Sequence, residues 1–132
     1  MPSRLLVVSG RALFSVLFLM TSVLHITKFE FLVSQMAVRG VPAPRFLLVF
    51  ATLLQVLGGL SILLGYRAKI GALLLTLFII PSTPIMHNFW ALQGQEAFFN
   101  LALFIRNISI LASLLLIMAF GSGPGSLDSS RA

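Results

Sequence analysis

The chain has 132 residues, 58% of them hydrophobic and only 9% charged, with a mean hydropathy of +1.06. A soluble domain keeps roughly a quarter of its residues charged, so nine basic and three acidic side chains cannot coat a globule in water. The net charge of +6 does not mark a nucleic-acid binder either, because the basic residues stand singly at the ends of apolar runs, where Lys and Arg anchor helices at headgroups.

A helix that crosses a bilayer needs about 20 predominantly apolar residues. The first such run is 5–27; it tolerates Arg11 near its start, where the side chain can snorkel, and it lacks a convincing signal-peptide cleavage site. Phe29, Leu32, Val33, Met36 and Ala37 then recur at helical spacing before Gly40, Pro42 and Pro44, which predicts a short amphipathic helix in the headgroup layer. The second span, 46–66, is uncharged throughout and bracketed by Arg45 and Arg67. A tight basic turn leads to the third, 70–90, which contains Pro81 and Pro84 and is expected to kink. The fourth, 97–120, carries Arg106. The Gly/Ser-rich tail, 121–132, is expected to be disordered. The expected fold class is therefore an all-α membrane protein, a single-domain four-helix bundle with one interfacial helix between the first and second spans.

Orientation follows from the basic residues. Arg4, Arg11, Arg67, Lys69 and Arg131 fall on one side and Lys28, Arg39 and Arg45 on the other, so five against three place both termini in the cytoplasm or its organellar equivalent. The membrane is a bacterial inner membrane or an organellar one. Expected partners are the lipid bilayer and other membrane subunits or further copies of the chain, and no nucleic acid.

Polar residues inside spans are costly and usually face the bundle interior or a water-filled cavity. Chain direction puts His25, Lys28, His87, Asn88 and Trp90 near the outer boundary. Gln55 and Arg106 lie about ten residues into their helices, roughly 15 Å deep. Thr21, His25 and Lys28 share one helix face, and Asn100 and Asn107 are one heptad apart with Arg106 beside them. Ala51, Gln55, Gly58, Ser61 and Gly65 form a stripe that, apart from Gln55, permits close packing.

These sets define a candidate pocket lined by His25, Lys28, Gln55, His87, Asn88, Asn100, Arg106 and Asn107, with Trp90 as an interfacial anchor. Arg106 has three readings: a structural cation bonded to Gln55 and an Asn, part of an anion, quinone or lipid-headgroup site, or a snorkelling side chain. The histidines are either interfacial or site residues. They are not expected as haem ligands, since no carboxylate sits nearby to orient an imidazole. There is no cysteine, which removes disulfides, thiol redox chemistry and thiolate metal sites. With no paired carboxylates in a span, no nucleophilic triad and no phosphate loop, neither a catalytic set nor a metal site is expected.

Certain motifs stand in an informative order: Arg11-Ala12-Leu13, Gly40-Val41-Pro42-Ala43-Pro44, Leu53-Leu54-Gln55-Val56-Leu57-Gly58-Gly59, His87-Asn88-Phe89-Trp90, Phe104-Ile105-Arg106-Asn107 and the Gly-Pro-Gly-Ser-Leu-Asp ending at Asp128. In this order and spacing the chain resembles the DoxX family from Arg11 to Asp128. The resemblance implies a four-helix membrane protein. It links the chain to quinone-linked thiosulfate oxidation, to membrane oxidoreductase complexes that counter oxidative stress and, more distantly, to secretory cargo receptors. Position 55 is Gln where the family often shows Glu, and position 106 is Arg where Lys is common. Losing that carboxylate removes the group through which a proton-coupled role would run. The function expected is a small membrane subunit of a redox-associated complex, contacting quinone or lipid; the rival is a non-catalytic scaffold or assembly subunit.

Overall fold

A computed structural model describes residues 3–130. Four helices are long and apolar enough to cross a membrane. They are α1 (Arg4–Thr27), α3 (Pro44–Leu64), α4 (Ala68–Met86) and α5 (Gly94–Phe120), while the short α2 (Phe29–Val38) lies between the first two. A 3-10 turn, Phe89–Ala91, extends the end of α4. The membrane class and the short intervening helix are as the sequence predicts.

Helix boundaries follow local chemistry. Pro44 occupies the first turn of α3, where its missing N–H is no loss, and Gly65 ends that helix in the left-handed region at φ +64°. Pro81 and Pro84 both lie inside α4. Near them the Thr83 hydroxyl donates to the Ile79 carbonyl at 2.6 Å. Helix α2 buries none of its residues and rests against α3, tied at the surface by a bidentate Arg45–Glu30 pair at 2.7–2.8 Å. That pair is largely exposed, so it contributes at most about 1 kcal/mol.

Around the bundle α1 packs on α3, α3 on α4 and α4 on α5. Phe18, Ile62, Ala72, Leu75, Ile79, Ile110 and Leu114, drawn from all four spans, form the core. Large apolar side chains such as Leu13, Phe50, Leu57, Leu77 and Leu116 remain exposed. On a soluble protein such a surface would aggregate; here it faces lipid. Because lipid tails are as apolar as leucine, the helices associate through close packing and hydrogen bonds. The closest packing is at α3–α4. A Cβ on Gly58 would stand 2.8 Å from the Gly71 carbonyl and 2.6 Å from the Leu75 side chain, while Ser61 packs on Gly71 in return.

Two expectations are corrected at the end that carries the termini. The tail is ordered as far as Ser130, where the description stops, so 131 and 132 lie outside the described residues. Leu127 N–H donates to Leu64 O and Asp128 N–H to Gly65 O, satisfying the carbonyl end of α3. The Asp128 carboxylate accepts from the backbone N–H groups of Arg67 (2.8 Å) and Ala68 (3.3 Å), satisfying the amide end of α4. This contact also holds Arg67 in its left-handed conformation at φ +49°. Arg11 does not snorkel: it is buried beneath the tail and donates through Nη2 to the Gly125 carbonyl at 2.6 Å.

Candidate functional site

Helices α1 and α5 stand at the two ends of the packing series, and between them lies a cavity of about 200 Å³. Its polar lining is Thr21, His25, Gln55, Ser82, His87, Arg106 and Asn107, backed by Phe18, Phe78 and Ile110. Each of the four spans or its end supplies a polar group.

Both histidines are oriented by a neighbour. The Thr52 hydroxyl spends its proton on Leu48 O at 2.7 Å, so at 3.0 Å from His25 Nδ1 it can only accept. His25 therefore carries its proton on Nδ1 and turns the Nε2 lone pair outward. His87 has the same arrangement. Asn100 Nδ2 donates to Glu96 O at 3.0 Å, which leaves Asn100 Oδ1 to accept from His87 Nδ1 at 3.3 Å. The hydrogen-bond network thus assigns both imidazoles, in their neutral form, as acceptors at Nε2.

Donors come from α3 and α5. Gln55 is 2% exposed; its Oε1 has only a long 3.4 Å contact from Ser22, whose hydroxyl is already spent on Phe18 O at 2.8 Å. Among the described residues Gln55 Nε2 has no hydrogen-bond partner. Arg106 directs Nε and Nη2 to Asn107 Oδ1 at 3.2 and 3.0 Å, which leaves Nη1 for another acceptor. Asn107 in turn donates to Thr83 Oγ1 at 3.1 Å, fixing α5 against α4. The cavity therefore offers two acceptors and at least two donors to a molecule within it.

A second chamber of about 260 Å³ adjoins the first and shares His25, Phe78, Ser82 and Met86 with it. It is almost wholly apolar. Leu32 and Met36 of α2 roof it, and Leu48, Leu54, Leu77 and Ile85 form its walls. The two chambers share a wall, one presenting several polar groups and the other an almost wholly greasy surface.

Of the residues singled out from the sequence, His25, Gln55, His87, Arg106 and Asn107 line the polar cavity. Asn100 reaches it through His87. Lys28 caps α1 and Asn88 precedes the 3-10 turn; neither lines the cavity. Trp90 is 59% exposed and stacks edge-on with Phe89 and Phe104. Of the partners in the structural reading of Arg106, the guanidinium bonds to an asparagine, Asn107, and makes no hydrogen bond to Gln55. Thr52, Ser22 and Thr83 were missed. The signal available for them was a hydroxyl inside a span, three or four residues from a candidate or facing one across a helix pair. Among the described residues no group of three His, Cys, Asp or Glu could hold a metal ion.

Four apolar spans around a polar cavity define a small multi-pass integral membrane protein. The DoxX family model matches residues 6–88, well over half of the chain, and the chain belongs to that family. It is 30% identical over 100 residues to the inner membrane protein YphA of Escherichia coli, covering 76% of this chain and 71% of that one. It is also 30% identical over 122 residues to the inner membrane protein YqjF of the same organism, covering 92% and 88%. A more distant match, 27% over 82 residues, is the ER-derived vesicles protein ERV29 of Saccharomyces cerevisiae; it covers 62% of this chain and only 26% of that protein. No solved structure gives a significant match.

Proposed function

We propose that the chain is a small membrane subunit that holds an amphipathic redox lipid of the quinone class for a larger complex, without catalysing a reaction by itself. The observation that carries this reading is the two-part cavity. A quinone head presents carbonyl oxygens suited to Gln55 Nε2 and Arg106, and its hydroxylated form presents O–H groups suited to His25 and His87 Nε2. An isoprenoid-like tail suits the apolar chamber under α2. The redox context is what the resemblance to the DoxX family implies.

The test is ligand content per folded protein after purification from native membranes, read by mass spectrometry of the extracted lipid. Wild type is expected to carry the ligand. His87→Ala combined with Arg106→Gln is expected to lower the content at least tenfold, the effect of losing roughly 1.4 kcal/mol of binding, while the protein stays monodisperse. A folded wild type that purifies empty would defeat this reading and leave the scaffold subunit as the better account.

The two relatives named as inner membrane proteins support a bacterial inner membrane as the location. The basic bias supports both termini on the cytoplasmic side. A reporter joined after Ala132 should then read cytoplasmic and one inserted near Gln93 external. The opposite pattern would invert the orientation, and the same side for both would remove the four-span topology.

A further inference from the structure

At the end of the bundle that carries the termini, a groove of about 580 Å³ runs between the first turns of α1 and the folded tail. Its floor is apolar, formed by Val8, Leu63 and Leu64, and Arg4 and Arg11 line its polar side. The two arginines are seven residues apart, two helical turns, and so share a face of α1. Both reach Gly125. Arg11 Nη2 donates to its carbonyl, and Arg4 Nε lies 3.0 Å from where a Cβ on Gly125 would stand.

Among the described residues neither arginine has an ion-pair partner within contact distance. Arg11 is 8% exposed, yet its Nε and Nη1 have no hydrogen-bond partner among the described residues, and neither has the Ser15 hydroxyl one turn further along the helix. Arg4 likewise makes no hydrogen bond among the described residues. The carboxylate acting on Arg11 is that of Asp128, which already accepts from Arg67 N–H, Ala68 N–H and the Ser122 hydroxyl. Among the described residues, Arg4, Arg11, Arg67 and Lys69 share this end with Asp128. Two guanidiniums over an apolar floor, at the first turns of a membrane span, are the chemistry that recognises a lipid phosphate.

We propose that this groove binds the phosphate diester of an anionic phospholipid at Arg4, over the buried positive charge of Arg11, with the acyl chains lying along Val8, Leu63 and Leu64. The site is at the opposite end of the bundle from the roof of the apolar chamber and is independent of any ligand held in that space. Arg4 is the part of the site that can be removed without touching the fold, since it is exposed and Arg11 keeps its bond to the tail.

The experiment counts lipids retained in native mass spectra of the full chain in detergent, offered phosphatidylglycerol or phosphatidylcholine. Wild type is expected to keep one phosphatidylglycerol. Arg4→Ala is expected to weaken retention about tenfold, the effect of losing one charge-assisted contact, and Arg39→Ala, at the other end, is expected to leave it unchanged. Retention that survives added inorganic phosphate identifies the lipid as occupant. Displacement by inorganic phosphate would overturn the lipid assignment in favour of a free anion. Equal retention by wild type and Arg4→Ala, or equal retention of phosphatidylcholine, would overturn the site itself.

Discussion

Gly58→Ala should destabilise the bundle by about 1–3 kcal/mol, the cost of overpacking a filled interface. The added methyl meets the Gly71 carbonyl at 2.8 Å, and a backbone group cannot turn aside as a side-chain tip can. Relief requires α3 and α4 to separate, which loosens Ser61 on Gly71 and the Leu75 packing together. Gly10→Ala is the matched control: it also lies in a spanning helix, but nothing stands within 4 Å of its new Cβ. That change should be neutral or slightly stabilising, since alanine is the better helix former. The fraction remaining monodisperse after heating in detergent reads both. Equal midpoints for the two variants would mean that α3 and α4 do not cross at Gly58.

Asp128→Ala should cost about 2–4 kcal/mol: hydrogen bonds to a charged partner contribute about 1.5–3 kcal/mol each, and water replaces part of what this half-buried carboxylate supplies. The carboxylate accepts from two backbone amides at the start of α4 and from Ser122, and it is the acid acting on Arg11. Without it the left-handed Arg67 loses its acceptor and the tail keeps its backbone contacts to Leu64 and Gly65 and the bond from Arg11 to Gly125. Asp128→Asn, which retains one accepting oxygen, should lose about half as much. Limited proteolysis of the tail, followed alongside thermal stability, separates local release from global loss. A tail as protected in Asp128→Ala as in wild type would show that the carboxylate does not hold it.

The spans were legible because they depend on composition over a window of one helix. The uncharged run expected at 46–66 differs from α3 by only two residues at each end, with Pro44 and Gly65 setting the true limits. The short helix after α1 was legible from the spacing of Leu32 and Met36, the residues that roof the apolar chamber. The small-residue stripe foretold close packing at Gly58 and Ser61, though it did not name Gly71 as the partner.

What escaped notice depends on distant partners. The Gly/Ser composition of the tail suggests disorder locally, but Asp128 finds its amides about 60 residues earlier in the chain, and Arg11 finds Gly125 more than 100 residues later. No window sees such pairs. For the cavity, helix direction put His25 and His87 near the outer boundary and Gln55 and Arg106 deeper, and one cavity has all four in its lining. Helix ends were harder to read: Lys28 and Asn88 lie just past the ends of α1 and α4, and both fall outside the lining.

The tail contacts also bear on the order in which the chain can be assembled. Residues 126–128 emerge from the ribosome after all four spans, yet they close the turn between the second and third of them. Up to that moment the amides of Arg67 and Ala68 depend on water or lipid headgroups for partners. Membrane insertion and final locking are therefore separate events in the life of this chain, divided by the synthesis of α5. Chains interrupted within the Gly-Pro-Gly stretch would carry every span and still lack the clasp, which makes them natural substrates for membrane quality-control proteolysis.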